Sequence, residues 1–244
     1  MAAPSPRQKQ ALCRPSALIW PPLKIGQRRP AWKGQKNEFP LLDSALREGA
    51  EGIALEVQLS AQGVPVVQCG PPFSGRISSA GSRQDAPVRV RLLEEVLDWV
   101  RDQRCMALIV INVLPPGAEE EILKVIARAK VRHLVRVIVR NLAELRRIRQ
   151  LDYGIALGLH FGSGLPPIPR AKALGAEVLL PHWSAISSSF IRRAHRASML
   201  VIPWTVDSPR HMRRAVLEGV DGIITNCPAK LTETVARLQR SARP

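Results

Sequence analysis

The sequence predicts an α/β fold of the TIM-type (β/α)8 barrel kind, and three observations carry that expectation. Apolar strand-like runs alternate with amphipathic helix-like runs along the chain, the pattern that builds a parallel sheet from repeated βα units. Eight strand-like runs can be counted, enough to close such a sheet on itself. The 244 residues also match the length at which barrels of this type form one domain.

Residues 1–20 are expected to form a basic, Pro-rich, disordered tail, and 21–244 the barrel domain. The first strand is expected near Leu23 to Gly26. Pro40 to Glu48 then places Leu41, Leu42, Ala45 and Leu46 at helical spacing, with Gly49 where a C-cap glycine belongs. Further strands are expected near Ile53 to Leu59, Ala107 to Val113, Val135 to Arg140, Ile155 to Phe161, Val178 to His182, Leu200 to Thr205 and Gly222 to Thr225. Between them, Leu93, Val96, Leu97 and Val100 mark a second helix, Ile122 to Ala129 a third, and Leu142, Leu145 and Ile148 a fourth. Ser208 followed by Pro209 is a helix start that Gly219 ends, and the last helix runs through Leu231, Val235 and Leu238. Gly70 to Ala86 is rich in Gly, Ser and Pro without periodicity, so it reads as a loop or small excursion.

Charge is unevenly placed. The net charge of +16 resides in two stretches: residues 1–37, with eight Lys or Arg and no acid, and residues 122–149, with nine Lys or Arg against Glu144 alone. Each reads either as a solvated face or as a surface for anionic lipid or another polyanion. No aromatic residues interleave the second stretch, which argues against a stacking platform for nucleic acid. Cys13, Cys69, Cys105 and Cys227 are far apart and form no CxxC pair, so neither a zinc site nor a disulfide framework is indicated. A reducing, cytoplasmic setting fits, with a mitochondrial leader as the alternative for the basic start. No apolar run reaches the roughly 18 residues of a membrane-spanning helix. Oligomeric state is not legible.

In the second strand alternate residues share a face, so Ala54, Glu56 and Gln58 point one way and Ile53, Leu55, Val57 and Leu59 the other. The polar set should line the barrel mouth.

The segments GAEGIALEVQLSAQGVPVV (Gly49 to Val67) and VIPWTVDSPRHMRRAVLEGVDGIITNCP (Val201 to Pro228) resemble the two ends of the glycerophosphodiester phosphodiesterase family, and NEFPLLDSALREGAEG resembles its Asn-Thr-Leu-Pro segment and first helix. The resemblance spans most of the chain from Leu23 and implies an eight-stranded βα barrel of glycerophospholipid metabolism. It implies hydrolysis of a glycerophosphodiester to an alcohol and glycerol 3-phosphate, with a divalent metal and two histidines as acid and base. Position by position, the family's His-Arg-Gly falls on Gln27, Arg28 and Arg29, and the metal-binding Glu before its Asn falls on Lys36. Its Glu-Leu-Asp falls on Ala54, Leu55 and Glu56, and its second His-Asp on Cys69 and Gly70. The Glu-x-Lys of its third strand falls on Asn112 and Leu114, and Asn226 replaces the acid after its last strand.

Gln27 cannot transfer a proton near neutral pH, and a hard divalent ion held by Glu56 alone would be weakly bound. The sequence therefore predicts an impaired or inactive hydrolase without a cofactor, with Mg or Ca implied only if it is active. Two alternatives stay open. One is a rearranged active site using His160 and His182 at strand ends, or Cys69 as nucleophile. The other is a non-catalytic barrel in which Arg28 and Lys36 meet a phosphate-containing small molecule or an anionic lipid head group and Trp204 walls the pocket. A barrel interior serving stability only fits the same residues. His133, His195 and His211 read as surface residues.

Overall fold

Eight parallel strands form a ring in which every other side chain points inward. The computed structural model describes residues 22–27, 40–68, 90–102, 108–114, 117–162, 164 and 166–241. The tail 1–20, Arg28, Lys36, Cys69 and the whole predicted Gly70–Ala86 excursion lie outside the described residues. In chain order the elements are β1 (Leu23–Gly26), α1 (Pro40–Arg47), β2 (Gly52–Leu59), β3 (Pro65–Gln68), β4 (Val90–Leu92), α2 (Leu93–Asp102), β5 (Leu108–Val113), α3 (Glu119–Ala129), β6 (Val135–Val139) and α4 (Leu142–Leu151). They continue as β7 (Ala156–Phe161), α5 (Ile168–Ala173), β8 (Ala176–Pro181), α6 (Ser188–Arg196), β9 (Leu200–Val201), α7 (Pro209–Glu218), β10 (Gly222–Thr225) and α8 (Pro228–Ser241).

The parallel order is β10-β1-β2-β5-β6-β7-β8-β9, and the antiparallel pair β3 and β4 extends from the end of β2. Closure comes through the chain after β9. Ile202 and Trp204 donate backbone N–H bonds to Leu179 and Pro181 on one side. On the other, Val201, Pro203 and Ile224 accept from Asp221, Ile224 and Val206 at 2.9, 3.0 and 2.9 Å. Pro203 has no N–H, so one rung is missing at this seam, yet the extended segment runs to Val206, matching the predicted Leu200 to Thr205 strand. The fold is the expected TIM-type (β/α)8 barrel.

Two apolar layers follow from the alternation. Ile25, Ala54, Val110, Ile138, Val178, Leu180, Ile202 and Ile224 fill the barrel interior. The outward set, including Ile53, Leu55, Ile109, Ile111, Val137, Leu157 and Ile223, packs against the helices. Each helix buries one stripe, such as Leu93, Val96, Leu97 and Val100 on α2 and Ile122, Val125, Ile126 and Ala129 on α3. Every buried Leu, Ile or Val contributes about 1.5–3 kcal/mol relative to exposure. Gly49 adopts φ 92° as the predicted helix stop. Helices α5 and α6 and the β3–β4 pair were not foreseen. For α6 the signal was present: Ser187 caps the N–H of Phe190 at 3.2 Å, and Phe190, Ile191 and Ala194 form the buried stripe.

His195 and His211 are not the plain surface residues that the sequence suggested. His195 Nε2 lies 2.9 Å from Asp221 Oδ2, and the same buried oxygen accepts the N–H of Val201 at 2.7 Å. This contact ties α6 to the starts of β9 and β10. His133 is exposed, as expected.

Two predictions follow from the packing. A Cβ on Gly52 would stand 2.7 Å from the Leu108 carbonyl oxygen on the adjacent strand, so Gly52→Ala should destabilise by about 1–3 kcal/mol, read as a lowered denaturant midpoint. The second concerns His195, whose pKa is raised because the Asp221 carboxylate accepts its proton, outweighing the opposing effect of burial. A raised folded-state pKa means the charged pair stabilises fully below the unfolded value of about 6.5, and that increment is lost as pH rises through the folded value. His195→Gln keeps a donor but cannot charge. The difference in melting temperature between wild type and variant should therefore be larger at about pH 5.5 than at about pH 8.5.

Candidate functional site

The strand ends carry the inward alternation past the apolar plug and into a polar ring. Two residues beyond Ile25, Ala54, Val110, Ile138, Ile202 and Ile224 of the interior cluster come Gln27, Glu56, Asn112, Arg140, Trp204 and Asn226. His160 and His182 occupy the corresponding ends of β7 and β8. The C-terminal rim of a βα barrel is where its loops assemble sites.

Two imidazole rings converge on Trp204. The His160 imidazole stacks on the Trp204 indole with centroids 4.2 Å apart at 23°, and His182 meets the same indole edge-on at 5.4 Å. Trp204 is held by its Nε1–H, which donates to the Leu180 carbonyl at 2.9 Å. His182 Nδ1 lies 2.7 Å from Ser184 Oγ and caps the short helical turn Trp183–Ala185. Trp183 in turn stacks on His211 at 3.9 Å, in the first turn of α7. His160 is pushed down to about 4, first because burial penalises the imidazolium and second because the Arg140 guanidinium repels it. At neutral pH the His160 ring is uncharged, so it can accept a proton at one nitrogen but lacks the imidazolium that serves as a general acid.

The adjoining arc of the ring, from the β9 segment through β10 to β1, is occupied by hydrogen bonds. Thr205 Oγ1 donates to Gln27 Oε1 at 3.2 Å, and Gln27 N–H donates to the Thr225 carbonyl at 2.8 Å. Asp207 accepts from Thr225 Oγ1, Asn226 N and Asn226 Nδ2 at 3.0, 2.8 and 2.8 Å. Gln27 is 7 % exposed, so its side chain is part of the wall rather than a free group.

Glu56 and Asn112 are register neighbours on β2 and β5. Asn112 Oδ1 is buried and accepts no hydrogen bond, a cost of about 1–3 kcal/mol that a donor on a bound molecule would remove. Ala54 is 7 % exposed and belongs to the apolar plug.

These residues can be tested against a divalent metal. Mg or Ca takes about six to eight oxygen ligands, several of them carboxylate. Glu56 has an amide, Asn112, beside it and Ala54 below it, and among the described residues no three His, Cys, Asp or Glu side chains gather in metal-binding proximity. The described residues do not fit such an ion.

Of the residues singled out by sequence, Glu56, Asn112, His160, His182 and Trp204 all sit on this rim. Arg28, Lys36 and Cys69 lie outside the described residues. Sequence reasoning missed Arg140 as a rim residue, although its spacing of two from Ile138 placed it on the inward face. It also missed the Trp183–His211 stack, which pairs residues from different loops and leaves no local pattern. Arg140→Gln should raise the His160 titration point from about 4, yet leave it below about 6.5 because burial remains the larger cause; nuclear magnetic resonance of the ring proton reads this directly.

Comparison with known proteins agrees with this geometry. The family model described as "Glycerophosphoryl diester phosphodiesterase family" matches residues 73–230. A glycerophosphodiester phosphodiesterase of Caldanaerobacter subterraneus subsp. tengcongensis is 27% identical over 238 residues, covering 88% of this chain and 98% of that protein. The crystal structure of a glycerophosphodiester phosphodiesterase from Parabacteroides distasonis superposes with a TM-score of 0.73 at 19% identity, covering 89% of this chain and 98% of the other. A phosphodiesterase from Oleispira antarctica, in complex with the product sn-glycerol-3-phosphate, gives 0.70 at 19% identity, covering 88% and 97%.

Proposed function

The chain belongs to the glycerophosphoryl diester phosphodiesterase family, and from that premise we propose that its barrel mouth holds a phosphate-containing small molecule while metal-assisted hydrolysis is impaired or lost. The observation that carries this reading is the fate of the substituted positions. Gln27 stands where the resemblance puts a proton-transfer histidine, and Asn226 where it puts an acid. Both side chains are engaged in hydrogen bonds across the β1, β9 and β10 seam. Ala54, at a metal-carboxylate position, is packed into the apolar plug. Loss of one proton-transfer group typically costs about 10²- to 10⁴-fold, and removal of the metal cage takes away charge stabilisation besides.

Support for the ligand class comes from Arg140 on the rim, from Arg28 and Lys36, which only the resemblance assigns to the mouth, and from the Oleispira antarctica neighbour, whose ligand is sn-glycerol-3-phosphate. Trp204, anchored at Nε1 and stacked on His160, supplies a rigid wall. A second reading, a hydrolase with a rearranged site, is favoured by one observation: His160 and His182 converge on the same indole. In it the neutral His160 would accept a proton. Among the described residues no helix is long and apolar enough to cross a membrane, and a cytoplasmic setting, or a mitochondrial one, completes the proposal.

Incubation with glycerophosphocholine and glycerophosphoethanolamine, with and without Mg²⁺ or Ca²⁺, should release no glycerol 3-phosphate above the blank. Chelator-sensitive release would overturn the reading. Chelator-insensitive release abolished by His160→Ala or His182→Ala would establish the second one instead. Calorimetry with sn-glycerol 3-phosphate should show binding that Trp204→Ala weakens about 3- to 10-fold, the scale of one aromatic contact.

A further inference from the structure

By sequence the most basic folded stretch is 122–149, but its charges are largely occupied at home. Lys124 pairs with Glu120 and Glu121 at 3.0 and 2.8 Å, Arg128 with Glu94 at 3.2 Å, and Arg147 with Glu119 at 3.5 Å. Arg132 pairs with Asp152, and Arg149 donates to the carbonyls of Leu174, Ile155 and Gly175. The open arginines lie elsewhere. On α7, Arg210, Arg213, Arg214 and Leu217 recur at i, i+3, i+4 and i+7, so they share one face while Met212, Ala215 and Val216 face the core. With Ser188, Pro209 and Glu218 they line a shallow groove of about 670 Å³. On α6 next to it, Arg192, Arg193 and Arg196 are exposed.

Among the described residues none of Arg192, Arg193, Arg196, Arg210 or Arg213 has a carboxylate partner. Arg214 donates to the Ile186 carbonyl at 3.2 Å and remains exposed. Leu217, at the end of the stripe, is 62% exposed, one of few large apolar side chains so placed among the described residues. Unpaired guanidinium groups beside a lone exposed aliphatic side chain match a surface that is anionic outside and apolar beneath. A polynucleotide would gain nothing from Leu217, and the groove has no aromatic ring on which bases could stack.

We propose that the α6–α7 face docks this protein on anionic phospholipid membranes. The stripe begins at Arg210, beside His211, which stacks on Trp183 at the rim. Docking by this face therefore lays the flank of the barrel on the bilayer, with the Arg210 end of the stripe at the mouth, whether or not the mouth performs hydrolysis.

The test uses the full chain with vesicles of pure phosphatidylcholine and of phosphatidylcholine containing about 30% phosphatidylserine, at about 0.15 M salt. Sedimentation should show binding to the anionic vesicles only. The variant Arg192→Gln/Arg210→Gln/Arg213→Gln should lose about 10²-fold in partition coefficient, the product of roughly fivefold for each charge near such a surface, with an unchanged circular dichroism spectrum. Leu217→Ser should weaken binding severalfold in a way that added salt does not mimic. A control that removes equal charge from the paired region, Lys124→Gln/Arg128→Gln/Arg146→Gln, should lose much less. The basic first 37 residues are present in every variant, so the difference reports the stripe. Absence of wild-type binding, equal losses in stripe and control variants, or tighter stripe-dependent binding to duplex DNA at equal phosphate concentration would each overturn the proposal.

Discussion

Closure of the parallel sheet is the constraint on which everything else rests. Once β10 pairs with β1 in register from Leu23 and Gly222 to Gly26 and Thr225, and the chain after β9 bonds to β10, no strand of the parallel ring has a free edge. The inward or outward direction of each strand residue is then fixed by parity. Ile25, Ala54, Val110 and Ile138 must form the plug, and Gln27, Glu56, Asn112 and Arg140 must surface at the rim. The seam through Pro203 is the least regular part of the ring, and it is there that side chains reinforce the backbone. Asp207 accepts three hydrogen bonds from Thr225 and Asn226, and Thr205 reaches Gln27.

Charge in this protein is distributed by role rather than by density. Arg149 and Arg132 stabilise loop carbonyls and a carboxylate, and α3 matches Lys124 with its own Glu120 and Glu121 and Arg128 with Glu94 of α2. Exposed pairs of that kind contribute only about 0–1 kcal/mol each, but they leave little field to attract a partner. The arginines of α6 and α7 do nothing for the core, since the buried faces of those helices are apolar. Two adjacent helices that both expose unpaired guanidinium groups repel one another mildly, a cost without a return in folding.

The fold was legible because a period-two or helical pattern survives in nearly every element. Leu108 to Val113 and Val135 to Val139 are apolar runs broken only by Asn112 and Arg136, and Ser208, Pro209 and Gly219 punctuate α7 as a start and stop should. What escaped was short or non-local. Helix α5 spans six residues and begins among prolines, too few for a period to show. The pairing of His195 with Asp221 joins positions 26 apart in sequence, and the Trp183–His211 stack 28 apart, so neither leaves a signature in a local window. At the rim, parity placed Glu56, and resemblance drew attention to Ala54 and Asn112. Arg140 was visible to the same parity rule but was absorbed into a reading of the region as a basic helical surface.

On the proposed reading, the rim residues that depart from the family pattern are mutually adapted, which bears on whether changing one of them back would restore hydrolysis. An aspartate at position 226 would set a second carboxylate about as close to Asp207 as the present Asn226 Nδ2, which donates at 2.8 Å. It would trade a hydrogen bond for like-charge repulsion, forcing one group to hold a proton. A histidine at position 27 would have to find space in a wall where Gln27 is nearly enclosed and already bonded to Thr205. An acid at position 54 would place a charge among Ile25, Val110 and Ile224 unless a cation arrived with it. Each reversal alone is unfavourable, so the present arrangement is self-consistent as a wall, and on the proposed reading a metal cage would require several of these positions to change together.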